Sequence, residues 1–278
     1  MEQRTIKNEV YYSGRALQTG RETDVICKPA EPDTGIVFIR KDLDNYPSLQ
    51  VNGSILTGDH ARRSSLKLGP VEIQTIEHFL AALWGAGVDN ILVEINGSEL
   101  PAMDGSAKGF LEPLKKAGTI EQGRPRRSIK ILDEEKVKTQ DRSITIFPDN
   151  NFSIAYTIDY DTPSIGKEEF SIELDQGSFE KEIAPARTFC LKEEAEALLR
   201  AGLGKGADFN NTLVMDDNGP IETTLRFKNE PVRHKILDLV GDLYILGFPV
   251  IGRVVAKKSG HDLNAQMVRK IYEKYVKQ

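Results

Sequence analysis

Three polar residues, His234, Asp238 and Asp242, recur at intervals of four in a segment that is largely apolar. Ile236, Leu237, Leu239, Val240 and Leu243 surround them, Pro231 stands at the start and Gly247 just past the end. That pattern predicts a helix over 231–246, with proline in its first turn and glycine after its last. Residues four apart share a helix face, so the three polar groups fall in one line. If the helix is buried, one imidazole and two carboxylates in a line are costly unless something positive sits against them. A divalent cation is the simplest partner, and histidine with carboxylate suits zinc. A solvated polar face on a surface helix is the competing reading, and spacing alone leaves both open.

The chain has four histidines, so each placement constrains the chemistry. His78 follows Glu77 in a segment where Ile76, Phe79, Leu80 and Leu83 keep helical spacing, which predicts a helix over 74–84. A carboxylate beside an imidazole suits a metal ligand with an adjacent base. The zinc-protease motif does not apply as written, because the glutamate comes first and the second helical histidine is missing; an ordinary core histidine is the alternative. His261 follows Gly260, a pairing that turns the chain tightly and presents an imidazole to a cleft, or simply places it on a surface loop. Thr188, in Ala186-Arg187-Thr188-Phe189-Cys190, has a hydroxyl able to support an oxyanion, or is a plain strand threonine. Gly202-Leu203-Gly204-Lys205-Gly206 lacks the spacing of a phosphate loop and reads better as a flexible helix end. His60 lies in a polar stretch and reads as a surface residue.

Strands are expected at 10–12, 25–27, 36–39, 90–95, 128–132, 143–147, 152–158 and 250–257, with a further helix at 192–201. Both halves run through strands, then a helix with a histidine near its start, then glycine and a strand. This points to an α+β fold of two related domains, 1–122 and 128–278, joined by the polar linker 123–127; chance similarity of a common pattern is the alternative. The formal net charge of −5 argues against a nucleic-acid partner but not against one small anionic ligand in a local basic pocket. Two cysteines do not make a disulfide framework, the first ten residues are polar, and no apolar run approaches the ~20 residues of a spanning helix. Together these give a cytoplasmic protein as the expectation.

Taken in order, several segments are more specific than any one alone. They are Gln74-Thr75-Ile76-Glu77-His78-Phe79-Leu80, Gly87-Val88-Asp89-Asn90, Glu99-Leu100-Pro101-Ala102-Met103-Asp104-Gly105-Ser106, Ala186-Arg187-Thr188-Phe189, Asn229-Glu230-Pro231-Val232-Arg233-His234-Lys235, Gly241-Asp242-Leu243-Tyr244 and Ser259-Gly260-His261-Asp262-Leu263-Asn264. The chain closely resembles the UDP-3-O-acyl-N-acetylglucosamine deacetylases of lipid A synthesis in Gram-negative bacteria. The resemblance implies two layered sheet-and-helix domains with the active site between them. It implies that His78, His234 and Asp238 hold Zn(2+), and the same ligands accept Fe(2+). By the same resemblance Glu77 is the base, His261 the acid, Thr188 the oxyanion hydroxyl and Asp242 the carboxylate that steadies His261. Lys235 and Phe189 match substrate contacts, and residues 190–215 the walls of an acyl-chain passage; Lys205 is a weaker candidate for the polar side. The implied partner is an acylated UDP-sugar, and a monomer is expected. Three positions depart from the family pattern, the first being Ala16 in place of the second glycine of an N-terminal turn. Gln18 stands where histidine is usual, and Asp262 follows the acid where a small residue is more common, a placement expected to favour the charged imidazole.

Overall fold

In the computed structural model, residues 1–56 and 63–277 are described. The first half contains β1 (Glu2–Ile6), β2 (Val10–Arg15), β3 (Glu22–Pro29), β4 (Ile36–Arg40), β5 (Ser48–Gln50), β6 (Ser65–Leu68), β7 (Val71–Gln74), α1 (Glu77–Ala86), β8 (Ile91–Ile95), α2 (Lys108–Ala117) and β9 (Thr119–Pro125). The second contains β10 (Ile129–Lys130), β11 (Glu135–Lys138), β12 (Ser143–Phe147), β13 (Phe152–Asp159), β14 (Lys167–Glu173), α3 (Gln176–Ser178), β15 (Phe189–Leu191), α4 (Lys192–Arg200), β16 (Leu213–Asp216), β17 (Gly219–Pro220), α5 (Glu230–Tyr244), β18 (Val250–Lys257) and α6 (His261–Ile271).

Strict alternation makes half-buried strands. In β4, Ile36, Phe38 and Arg40 point inward, and in β18, Val250, Gly252, Val254 and Ala256 do. The first sheet has the order β2-β3-β8-β4-β5, and the main path of the second is β11-β12-β18-β13-β14. Each contains one parallel pair, β4 with β8 and β13 with β18, and is otherwise antiparallel along that path. In both, the central strand is the last of its sheet in chain order, preceded by one helix (α1 or α5) and followed by another (α2 or α6). The second half therefore repeats the topology of the first, and the expectation of two related α+β halves is met.

Each half also carries an insertion at the equivalent place, between its fourth sheet strand and the helix before its central strand. In the first half this is the β6–β7 hairpin; in the second it holds the small β15-β16-β17 sheet and α4. Val71–Gln74, whose last residue falls in the helix expected over 74–84, is a strand because Val71 and Ile73 are buried and alternate with half-exposed Glu72 and Gln74. Helix α1 begins only after Thr75, whose φ of 56° breaks the strand direction. Polar 119–125 forms β9 along β1, so residues 123–125 of the expected linker are the end of that strand.

Helices α1 and α5 form the seam between the halves. Glu77 through Leu83 are all buried, as expected of a helix apolar on most sides. The two helices meet backbone to backbone at Gly241, where a Cβ would lie 1.9 Å from the Glu77 carbonyl oxygen. The Tyr244 hydroxyl donates to the Val88 carbonyl at 2.8 Å, and Arg126 pairs with Asp89 at 2.8 Å. Among the described residues, no helix is long and apolar enough to cross a membrane.

Candidate metal centre and active site

The seam brings the start of α1 against the middle of α5. Glu230, fully buried at the start of α5, accepts hydrogen bonds from the backbone N–H and the Nε of Arg187, both at 2.9 Å, and from the backbone N–H of Arg226. This pins the segment before β15 to the helix and brings the Ala186 carbonyl to 3.0 Å from His234 Nδ1. Nδ1–H donates there, which leaves the Nε2 lone pair free and aimed at Asp238 Oδ1, 3.2 Å away. His78 Nε2 approaches the same oxygen at 3.5 Å, and the two imidazoles stand edge to face with centroids 4.9 Å apart. One ligand atom from each of the three residues lies within 4.8 Å of the others, and all three residues are buried.

The electrostatics fit a cation. Burial pushes the His234 imidazole down to about 3, so its lone pair is available. Asp238 is held well below the usual carboxylate range, because His234 and Lys235 outweigh the burial that opposes its ionisation. Its Oδ2 accepts from Lys235 Nζ at 2.7 Å. Its Oδ1, facing the two imidazoles, is a buried oxygen without a hydrogen-bond partner among the described residues. A buried charged oxygen left unsatisfied between two imidazole nitrogens fits a divalent cation, which these three residues could hold.

A carboxylic acid and an imidazole flank this cluster. His261 is the first residue of α6, after extended Gly260, rather than a loop residue. Its Nδ1 lies 2.9 Å from Asp242 Oδ2, and Asn264 Nδ2 donates to the same oxygen at 2.8 Å. Burial alone would lower its pKa, but the charge and hydrogen bond of Asp242, with Asp238 and Glu77 nearby, raise it to about 9. The opposite nitrogen, Nε2, lies 3.9 Å from Glu77 Oε1 and 3.8 Å from Asp238 Oδ2. Burial raises the Glu77 pKa against the pull of His261 and His78. An imidazolium and a proton-accepting carboxylate thus share one small space. Arg142 grips Asp262 with two hydrogen bonds, of 3.1 and 2.6 Å, and the carboxylates that raise the His261 imidazole are Asp242, Asp238 and Glu77.

Two polar neighbours escaped the sequence reading. Asn264 sits one helical turn beyond His261, a spacing that carried the signal. Ser64, whose hydroxyl donates to Asp242 Oδ1, lies in a hairpin that periodicity did not reveal.

Glu77, His78, His234, Asp238 and His261 line a cavity of about 850 Å³. Thr188, Phe189 and Lys235 line it too, as do the cationic side chains of Arg142 and Lys258. Thr188 is set by its backbone, with its N–H donating to the Gly105 carbonyl at 2.7 Å and its carbonyl accepting from Leu213. Apolar lining comes from Leu198 and Leu199 on α4, with Phe209, Val214 and Ile221. Leu199 is 61% exposed and Phe209 37%, so the apolar lining reaches the surface. Gln18 lines the cavity, and its Oε1 accepts from the Gly204 N–H at 3.2 Å. Lys205 is exposed and not among the lining residues; its backbone N–H donates to the Gln18 carbonyl. His60 lies outside the described residues.

Residues 3–273 match the LpxC family, UDP-3-O-acyl N-acetylglycosamine deacetylase. Two relatives carry the name UDP-3-O-acyl-N-acetylglucosamine deacetylase. One, from Anaeromyxobacter sp. (strain Fw109-5), is 38% identical over 270 residues, covering 97% of this chain and 88% of its own length. The other, from Coxiella burnetii (strain CbuK_Q154), is 39% identical over 275 residues, covering 98% and 90%. With the duplicated fold, these likenesses define an amide-hydrolysing enzyme built from two related α+β halves. Within that class, the chain belongs to the UDP-3-O-acyl N-acetylglycosamine deacetylase family.

Proposed function

We propose that this enzyme removes the acetyl group from the amide of a UDP-3-O-acyl-N-acetylglucosamine, releasing acetate and the free amine for lipid A biosynthesis, and that it depends on zinc. The observation that carries the reading is the unsatisfied Asp238 Oδ1 between the His78 and His234 nitrogens, on the wall of a cavity that Glu77 and His261 share. His78, His234 and Asp238 would hold Zn(2+), and the same donors accept Fe(2+). Bound there, the cation supplies Lewis-acid chemistry, acidifying water and drawing charge from a carbonyl. Glu77 takes a proton from the attacking water at its cavity-facing oxygen. The Thr188 hydroxyl donates to the oxygen that gains charge. His261, positive and steadied by Asp242, gives the proton that lets the amine nitrogen leave.

The cavity lining suits the two ends of such a substrate. Lys235 stands over the Phe189 ring at 5.7 Å, a cationic and aromatic pair for a sugar phosphate, with Arg142 and Lys258 nearby. The apolar wall of α4 and Phe209 suits an acyl chain. A monomer remains the expectation, and the two cysteines fit a reducing compartment such as the cytoplasm. An acetate-release assay with and without a chelator tests the reading, using UDP-sugars with and without the 3-O-acyl group. Release that needs metal and the acyl group is expected; release that a chelator leaves untouched overturns the zinc assignment. In the same assay, Glu77→Ala and His261→Ala should each lose orders of magnitude in kcat with metal retained, whereas Asp238→Ala should deplete the metal.

A further inference from the structure

We propose that Ser64 is a positioning residue for this reaction, one side chain and one N–H that set the base and the acid in a single arrangement. The inference rests on the roles given above to Glu77 and His261, and it adds a residue that those roles did not require. Ser64 is 1% exposed. Its backbone N–H donates to Glu77 Oε2 at 3.1 Å. Its hydroxyl donates to Asp242 Oδ1 and stands 3.3 Å from His261 Nδ1. No other residue described at the seam touches both members of the acid–base pair and the carboxylate behind one of them.

The local structure shows how the chain delivers it. Strands β6 and β7 form a hairpin in which Ser65 is the register partner of Gln74. Ser64 therefore lies beside Thr75, where the chain leaves the strand for α1, and the Ile76 N–H meets the Ser64 carbonyl at 3.5 Å. The hairpin thereby holds Ser64 against the first turn of α1, where Glu77 begins the helix.

The chemistry then divides cleanly. The N–H on Glu77 Oε2 occupies the oxygen turned away from the cluster and leaves Oε1 facing His261 Nε2. The hydroxyl has one proton, and Asp242 Oδ1 takes it, while His261 and Asn264 serve Oδ2. With donors on both oxygens, the Asp242 carboxylate cannot rotate, and its charge stays aimed at the imidazole. A merely structural serine at a hairpin end would satisfy its hydroxyl on nearby backbone. This one instead reaches residues 178 and 197 positions away, in the other half.

The test is Ser64→Ala in the full chain, which removes the hydroxyl and keeps the N–H. We expect kcat to fall about ten- to a hundredfold, the range set by one hydrogen bond to a charged group, with KM and bound zinc within about twofold of wild type. The His261 Nδ1–H signal of ¹⁵N-histidine-labelled protein should shift in the same variant, a readout independent of turnover. Because Ser64 acts through Asp242, adding Ser64→Ala to Asp242→Ala should slow the enzyme no further. Losses that multiply, or a Ser64→Ala enzyme with wild-type kcat and an unmoved His261 signal, overturn the proposal. Wild-type protein that releases no acetate removes the proposed function and this inference together; wild-type turnover matched by Ser64→Ala removes only the inference.

Discussion

At the scale of single residues, the candidate site is a set of buried charges in which Asp238 Oδ1 is left unsatisfied, and a pair that only holds the chain can be told apart from that cluster. Arg187 and Glu230 meet at 2.9 Å with 5% and 0% of their side chains exposed. Glu230→Ala strands the guanidinium in the interior, and breaking such a pair costs about 3–5 kcal/mol. Chemical denaturation should report that loss, and a variant within 1 kcal/mol of wild type would mean that Arg187 finds another partner. His234, Asp238 and Asp242 were legible in the sequence because a helix turns equal spacing into a line. His78 and Glu77 were legible as a pair, but which of them faces a cation was not, since that depends on a partner helix far along the chain. Ser64 gave no signal, because its partners are set by long-range packing and no local period marks it. The tie of Asp262 to Arg142 was not legible for a related reason. Its adjacency to His261 was visible, but Arg142, 120 positions earlier, was not.

At the scale of elements, α1 and α5 matter more than any strand, because their contact fixes the spacing of the candidate ligands. Gly241 permits that contact, with no room for a methyl group beside the Glu77 carbonyl. Gly241→Ala must push the helices apart, and overpacking of this kind costs about 1–3 kcal/mol or more. The expected result is a lower Tm together with weaker retention of a metal at the proposed site; an unchanged Tm would show that the seam is looser than described. Long periodic helices were readable from the sequence, and α4 falls within a residue of its expected range. Short strands were not. Strands β6 and β7 are four residues each, too short for alternation to stand out from the helix that follows. Strand β9 reads as polar because six of its seven residues are exposed and its order comes from β1.

At the scale of the whole molecule, the duplicated topology was visible as a repeated rhythm of strands, histidine-bearing helix, glycine and strand. The β6–β7 hairpin was not, and of the second insertion, which supplies the apolar wall of the cavity, periodicity revealed only the helix α4. The loop 101–106 of the first half reaches into the second, where a Cβ on Gly105 would meet the Asn211 carbonyl oxygen at 1.7 Å and Arg226 pairs with Asp104 at 2.8 Å. Contacts of this kind, with α1 and α5 packed at the seam, tie the halves into one cooperative unit. Calorimetry should show a single transition whose calorimetric and van't Hoff enthalpies agree. Two resolved transitions would show that the halves melt independently.

The main-chain meeting at Gly241 has a bearing on how such a protein can vary. Where two helices touch through side chains, every exchange of one aliphatic residue for another alters the gap between them. Here the gap is set by atoms common to all amino acids, so the interiors of both halves are free to drift in composition without detuning the geometry around Asp238.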